Sequence, residues 1–256
     1  MSNHTSPESV LAQFPDWDGA TWRELEGCVT NSPYLVEANG RKAVLKIDEA
    51  PREAPFNDRR QEAKIQRAAH EAGLAGNVLY VTDTVLMTEY VEGVVWSLDC
   101  LEDDANIEQL ALALRKLHSL PLTGRTFDVD GAARMYAKII GGTNSEAVEQ
   151  CLSKVEAAPR PHNLCCCHND LVVANIINTP ATNFLDWEYA CDNDPFFDLA
   201  TIAAHHKLTQ EQCDTLLNAY FDGDGERWRE QLARQSEVYE ALLYLWTEAQ
   251  TLPGIR

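Results

Sequence analysis

Within CCCHNDLVVANIINTPATNFLDWE, residues 165–188, two carboxylates and an amide, Asp170, Asn175 and Asp186, stand in a largely apolar stretch of chain. Such groups are expensive to bring near apolar chain unless a cation or polar ligand compensates them. Oxygen donors of this kind suit a hard divalent ion, whose octahedral shell phosphate oxygens readily complete. The residue types therefore point to metal-assisted phosphate chemistry. A zinc module built from Cys165, Cys166, Cys167 and His168 fails on spacing. These four residues are consecutive, and neighbours on a strand face opposite ways, so they do not surround one tetrahedral ion. A buried cysteine run feeding the loop is the better expectation, because unpaired cysteine packs as a small hydrophobe.

His168-x-Asp170-x-x-x-x-Asn175 has the spacing of a kinase catalytic loop, in which the aspartate takes the acceptor hydroxyl proton and the asparagine binds magnesium. Ile176-Ile177 and Phe184-Leu185 read as short strands about a polar, Pro-containing turn that carries Asp186 back beside Asn175. Lys46 closes the alternating strand VLKI, and Glu62 follows on the core side of a helix. These are the places of a kinase's phosphate lysine and its acidic partner.

The elements that must position these groups are legible in outline. YLVEA and KAVLKI are β-type runs joined through Asn39-Gly40, a hairpin signal. FNDRRQEAKIQRAAHEAGLAG reads as a helix with Asp58 as N-cap and Gly73 as its stop. VLYVT and VLMTEYV are two more strands. Beyond Gly93 helices dominate: NIEQLALALRKLHSL places Ile107, Leu110, Ala111, Leu114 and Leu117 on one stripe. NSEAVEQCLSKVEAA, FFDLATIAAHH, TQEQCDTLLNAYF and the final GERWREQLARQSEVYEALLYLWTEAQ are also helical in period. His118, at a helix end, is expected to cap it. The sequence thus predicts an α+β protein with a small antiparallel-sheet lobe over 1–92 and a larger, mainly helical lobe over 93–256.

A chain of 256 residues has room for two such lobes. Its formal net charge of -19 argues against nucleic acid or an anionic membrane as partner, since both reward basic surface. The eight cysteines follow no disulfide framework, which fits a reducing compartment. The start MSNHTSPESVLAQF lacks a basic region and a long apolar core, and no run is long enough to span a bilayer. A soluble, cytoplasmic protein is expected, as monomer or homodimer.

HNDLVVAN followed by FLDWEYACDNDPFFDLA resembles the aminoglycoside phosphotransferase and choline kinase family, the small-molecule branch of the protein-kinase-like two-lobe fold. In order, GCVTN, VLK, the Glu62 helix, EYVEG and LHSLP extend the resemblance over almost the whole chain. The resemblance implies ATP and Mg2+ as cofactors, Asp170 as catalytic base, Asn175 and Asp186 as magnesium ligands, and Lys46 with Glu62 as phosphate clamp. It implies that Gly27, Thr30, Asn31 and Ser32 overlie the phosphates, that the backbone of Glu89 to Val91 meets adenine, and that Asp198 braces the catalytic loop beside a structural His168. Two departures stand out: EGCVTNS has one glycine where protein kinases have three, and Trp187-Glu188 replace their Phe-Gly. Both suit a small-molecule acceptor.

For that acceptor, Tyr239 and Trp246 on the last helix offer aromatic faces to a quaternary ammonium, with packing into the core as the plain alternative. LLYLW is similar to the ligand helix of choline kinases. Glu188 and Asp192 would add acidity near the acceptor. Choline or ethanolamine is the leading expectation. Thiamine and an aminoglycoside are the rivals, and a catalytically inactive nucleotide-binding scaffold is the non-enzyme reading.

Overall fold

Asn39 and Gly40 both take positive φ, 52° and 73°, the turn geometry whose twist matches that of flanking antiparallel strands. They join β2 (Tyr34–Ala38) to β3 (Arg41–Ile47). With β1 (Thr21–Glu24), β4 (Val78–Val81) and β5 (Val85–Glu89), these strands make an antiparallel sheet in the order β1-β2-β3-β5-β4. The computed structural model describes residues 6–25, 33–52, 58–141, 145–158 and 163–251. Its chain forms two compact units, Met1–Gly93 with Asp186–Tyr189, and Val94–Leu185 with Ala190–Arg256.

Strand alternation decides what each face of the N-terminal sheet carries. Ala43 and Leu45 of β3 join Val36, Val85 and Met87 in one apolar cluster with Val10, Leu11 and Trp17. Val10, Leu11 and Trp17, ahead of β1, are therefore part of the core. Helix α1 (Pro7–Leu11) starts at Ser6 through a reciprocal cap with Ser9, with Pro7 at its first position. Leu86 of β5 packs with Val78 and with Ala63 of α2 (Arg59–Glu71). Helix α2 begins where expected, with Asp58 accepting from the Gln61 N–H at 2.8 Å.

In the C-terminal unit, Ile107, Leu110, Ala111, Leu114 and Leu117 of α3 (Asp104–His118) are all fully buried, as their stripe predicts. Further helices are α4 (Val129–Ile140), α5 (Ser145–Glu156), α6 (Pro195–Ala200), α7 (Gln210–Tyr220) and α8 (Arg229–Gln250). Two small sheets complete the unit. One pairs β7 (Cys165–Cys167) with β10 (Cys191–Asn193); the other sets β6 (Val94–Val95) and β9 (Thr182–Phe184) on either side of β8 (Ile176–Asn178).

Helix α4 escapes a reading of propensity because Gly131 sits in its first turn. That glycine makes the cap: Asp128 accepts from the Gly131 N–H at 2.9 Å, and a Cβ there would fall 2.1 Å from Asp128 Oδ2. Past α6, residues Thr201–His205 widen into a π turn, so FFDLATIAAHH is not one regular helix. The antiparallel sheet followed by a helical part is the α+β arrangement expected. Among the described residues no helix is long and apolar enough to cross a membrane.

Candidate active site

Because Ala43 and Leu45 point into the α1-side cluster, Lys46 falls on the opposite sheet face, toward α2. There its Nζ donates to Glu62 Oε1 at 3.2 Å and to Asp186 Oδ1 at 2.7 Å. Glu62 is fully buried in the first turn of α2, and its other oxygen accepts from Arg59 Nη1 at 2.7 Å. Arg59 forks onto Asp48 at 2.6 and 2.7 Å. Asp48 also accepts from Arg52 Nε at 3.1 Å, and Arg52 Nη1 reaches Glu188 at 2.6 Å. Seven charges of the N-terminal unit thus alternate in sign from Asp186 to Glu188. Burial by itself would lower the Lys46 pKa; the carboxylates of Asp186 and Glu62 outweigh it and hold the amine above its ordinary value. Arg59 is raised in the same way against burial, chiefly by Glu62 and Asp48.

In the C-terminal unit, β7 delivers the chain into His168-Asn169-Asp170. Asp198, fully buried on α6, accepts from the His168 N–H and the Asn169 N–H, each at 2.8 Å. His168 is buried, and its Nε2 donates to Leu185 O at 2.9 Å. Asn169 holds a left-handed φ of 64°, a conformation Asn tolerates better than most residues. Its Oδ1 accepts from Asn193 Nδ2 at 2.8 Å. Beyond the loop, Asn175 Nδ2 donates to Asp170 O and to Asp170 Oδ2, both at 2.9 Å. The Leu185 N–H closes this loop on Asn175 O at 2.8 Å.

Each donor, taken within its own unit, is of a type that suits a hard cation. In the C-terminal unit the Asn175 amide nitrogen is spent on Asp170, which leaves Oδ1 as its oxygen donor, and in the N-terminal unit Asp186 carries carboxylate oxygens. Asp186 also holds a left-handed φ of 61°. Strained backbone of this kind collects where side-chain direction matters to chemistry.

Several expected contacts come out differently. Asp192 does not present its charge to an acceptor: it is buried, and its carboxylate accepts from the Thr123 N–H at 2.7 Å and the Gly124 N–H at 2.9 Å. Asp192→Ala should therefore act on folding, costing about 1–3 kcal/mol through two stranded donors. It is expected to appear as a lowered Tm with little change in acceptor KM. Glu188 is likewise buried, and Arg52 answers its charge. The His118 ring turns to Tyr220 and Asp198 rather than capping α3.

Tyr239 is a buried residue whose hydroxyl lies 2.8 Å from His205 Nδ1 and whose ring meets Phe197 edge-on. Its phenol is raised by burial first and then by the charge of Asp170. Trp246 lies half-buried two turns further along α8. In the Glu89 to Val91 segment, the Glu89 and Tyr90 N–H groups go to the Asn77 and Lys42 carbonyls; among the described residues no such bond engages the Val91 N–H. Gly76 keeps this segment in place, since a Cβ there would fall 2.7 Å from Glu89 O and 2.9 Å from Val91 Cγ2. Gly27, Thr30, Asn31 and Ser32 lie outside the described residues.

Sequence reasoning missed Asp48, Arg52, Arg59 and Asn169. Arg59 and Glu62 at i, i+3 on one helix were the available signal; nothing local marks Asp48 or Arg52.

A family model described as "Phosphotransferase enzyme family" matches residues 21–234. Protein LicA of Haemophilus influenzae is 30% identical over 253 residues, spanning 88% of this chain and 92% of that protein. Among solved structures, a choline/ethanolamine kinase family protein from Mesorhizobium loti is 25% identical with a TM-score of 0.73, covering 97% of this chain and 87% of that one. Choline kinase LicA from Streptococcus pneumoniae is 22% identical with a TM-score of 0.76, covering 92% and 87%.

Proposed function

From the premise that this chain belongs to the phosphotransferase enzyme family, we propose that it moves the γ-phosphoryl group of ATP to the hydroxyl of a small cationic alcohol, choline or ethanolamine first. The observation that carries the transfer chemistry is the pair of contacts from Lys46 to Glu62 and Asp186. It joins a strand, a helix and a segment 140 positions along the chain around one fixed positive charge.

Each residue then has a task. Lys46, oriented by Glu62, binds phosphate oxygens. Asp170 accepts the proton of the acceptor hydroxyl and aligns that oxygen for in-line attack. Asn175 and Asp186 would hold Mg2+, which when bound neutralises charge on the transferring group. Asp198 acts on the reaction through the His168 and Asn169 amides, keeping the loop before Asp170 in one shape. Val91 offers an N–H to the nucleobase.

For the acceptor, the likeness to a choline/ethanolamine kinase family protein supports a cationic alcohol. So does the net charge of -19, which favours cations over anions at long range. Phosphate transfer measured with choline, ethanolamine, thiamine and kanamycin is expected to give choline or ethanolamine a kcat/KM at least about tenfold above the rest, a gap of 1.4 kcal/mol. Equal background turnover with all four would remove the acceptor class.

A further inference from the structure

We propose that His118, Cys165 and Cys167 form a binding site for one soft divalent ion, zinc being the natural occupant, that ties α3 to the strand leading into the catalytic loop. Among the described residues, one imidazole nitrogen and the two thiols all lie within 4.8 Å of one another. The alternation that defeats four consecutive ligands is what makes this site: Cys165 and Cys167 share a strand face, with their sulfurs 3.5 Å apart. Two thiolates each about 2.3 Å from a tetrahedral zinc would stand roughly 3.8 Å apart, so little movement is needed. Cys166 is left on the other face.

The histidine is prepared for this role by its partners. Asp198 Oδ2 lies 3.1 Å from His118 Nε2, and a carboxylate only accepts, so Nε2 carries the proton. The lone pair is then on Nδ1, where the Tyr220 hydroxyl donates to it at 2.7 Å. An ion would take that lone pair from Tyr220 and keep the Asp198 contact, giving a carboxylate–histidine–metal arrangement. As each metal–sulfur bond forms, its thiol releases a proton to solvent, and water completes the tetrahedron. The donors are nitrogen and sulfur, so magnesium does not compete. None of the three ligands is a residue assigned to the transfer reaction or to the acceptor, so the site can be tested apart from both.

Asp198 is the link to the loop, because the oxygen that meets His118 also accepts from the His168 N–H. Cobalt(II) added to the full-length reduced protein in excess magnesium is expected to bind at one equivalent. It should give the thiolate charge-transfer band and intense visible bands of a tetrahedral site, and zinc should displace it. Cys165→Ser and Cys167→Ser should each weaken zinc at least tenfold in chelator competition, while Cys166→Ser should not. A measurement free of variants is alkylation of the wild-type protein followed by mass mapping: zinc should protect Cys165, the partly exposed ligand thiol, but leave Cys151 and Cys213 reactive. A wild-type protein without the thiolate band, a band that survives loss of both cysteines, or protection mapped elsewhere would overturn the site.

Discussion

Asp170→Ala is expected to lower kcat for phosphoryl transfer by roughly 10²- to 10⁴-fold, the range for removing a positioned general base, while nucleotide affinity stays within a few-fold of wild type. The hydrogen bonds around the residue explain why the loss should be catalytic. Asn175 Nδ2 is held by two Asp170 oxygens, one on the side chain and one on the backbone. Truncation removes only the first, and Asp198 still holds the His168 and Asn169 amides. The loop keeps its shape and loses its proton acceptor. Steady-state kinetics beside an equilibrium nucleotide titration separates the two effects. Near-normal turnover would take the role of base away from Asp170, and a matching loss of nucleotide binding would make it a structural residue.

The second large effect is expected at Asp186. Asparagine is the informative replacement there, because the backbone φ of 61° is one that Asn adopts readily, whereas alanine would add roughly 1 kcal/mol of backbone cost. Asp186→Asn keeps the shape, removes the charge, and leaves Lys46 its contact with Glu62. Affinity for Mg·ATP should fall about 10- to 100-fold, with Tm nearly unchanged. Affinity for metal-free ATP in a chelating buffer should hold or rise, since the variant frees Lys46 from one carboxylate. Calorimetric titration in the two buffers reads the difference directly. Equal losses in both would mean that Asp186 acts on the nucleotide without a metal.

The sequence carried most of the architecture, and for identifiable reasons. The α3 stripe, the Asn39-Gly40 turn and the Asp58 cap are local signals, each complete within a few residues, and each reappears in the structure. Helix α4 was hidden because one glycine satisfies a cap while looking like a break. The candidate site divides along the same line. Asp170 and Asn175 form a short-range motif, and Arg59 could have been found from its spacing to Glu62, whereas Asp48 and Arg52 belong to the site only through folding. Asp192 shows the converse error: a carboxylate near a motif was read as facing a ligand, yet two backbone amides had already claimed it. The cysteine run was read correctly as a strand. What no spacing reveals is that a histidine 47 positions upstream comes to lie over one of its faces.

The alternating ion pairs of the N-terminal unit carry a consequence for the order in which ligands enter. At the head of that row Lys46 already answers two carboxylates, Glu62 and Asp186, and both compete with a triphosphate for its charge. A lone nucleotide would meet a closed ledger of charge. An ion held at Asp186 would draw that carboxylate away from Lys46, so metal and nucleotide are expected to arrive together rather than in succession.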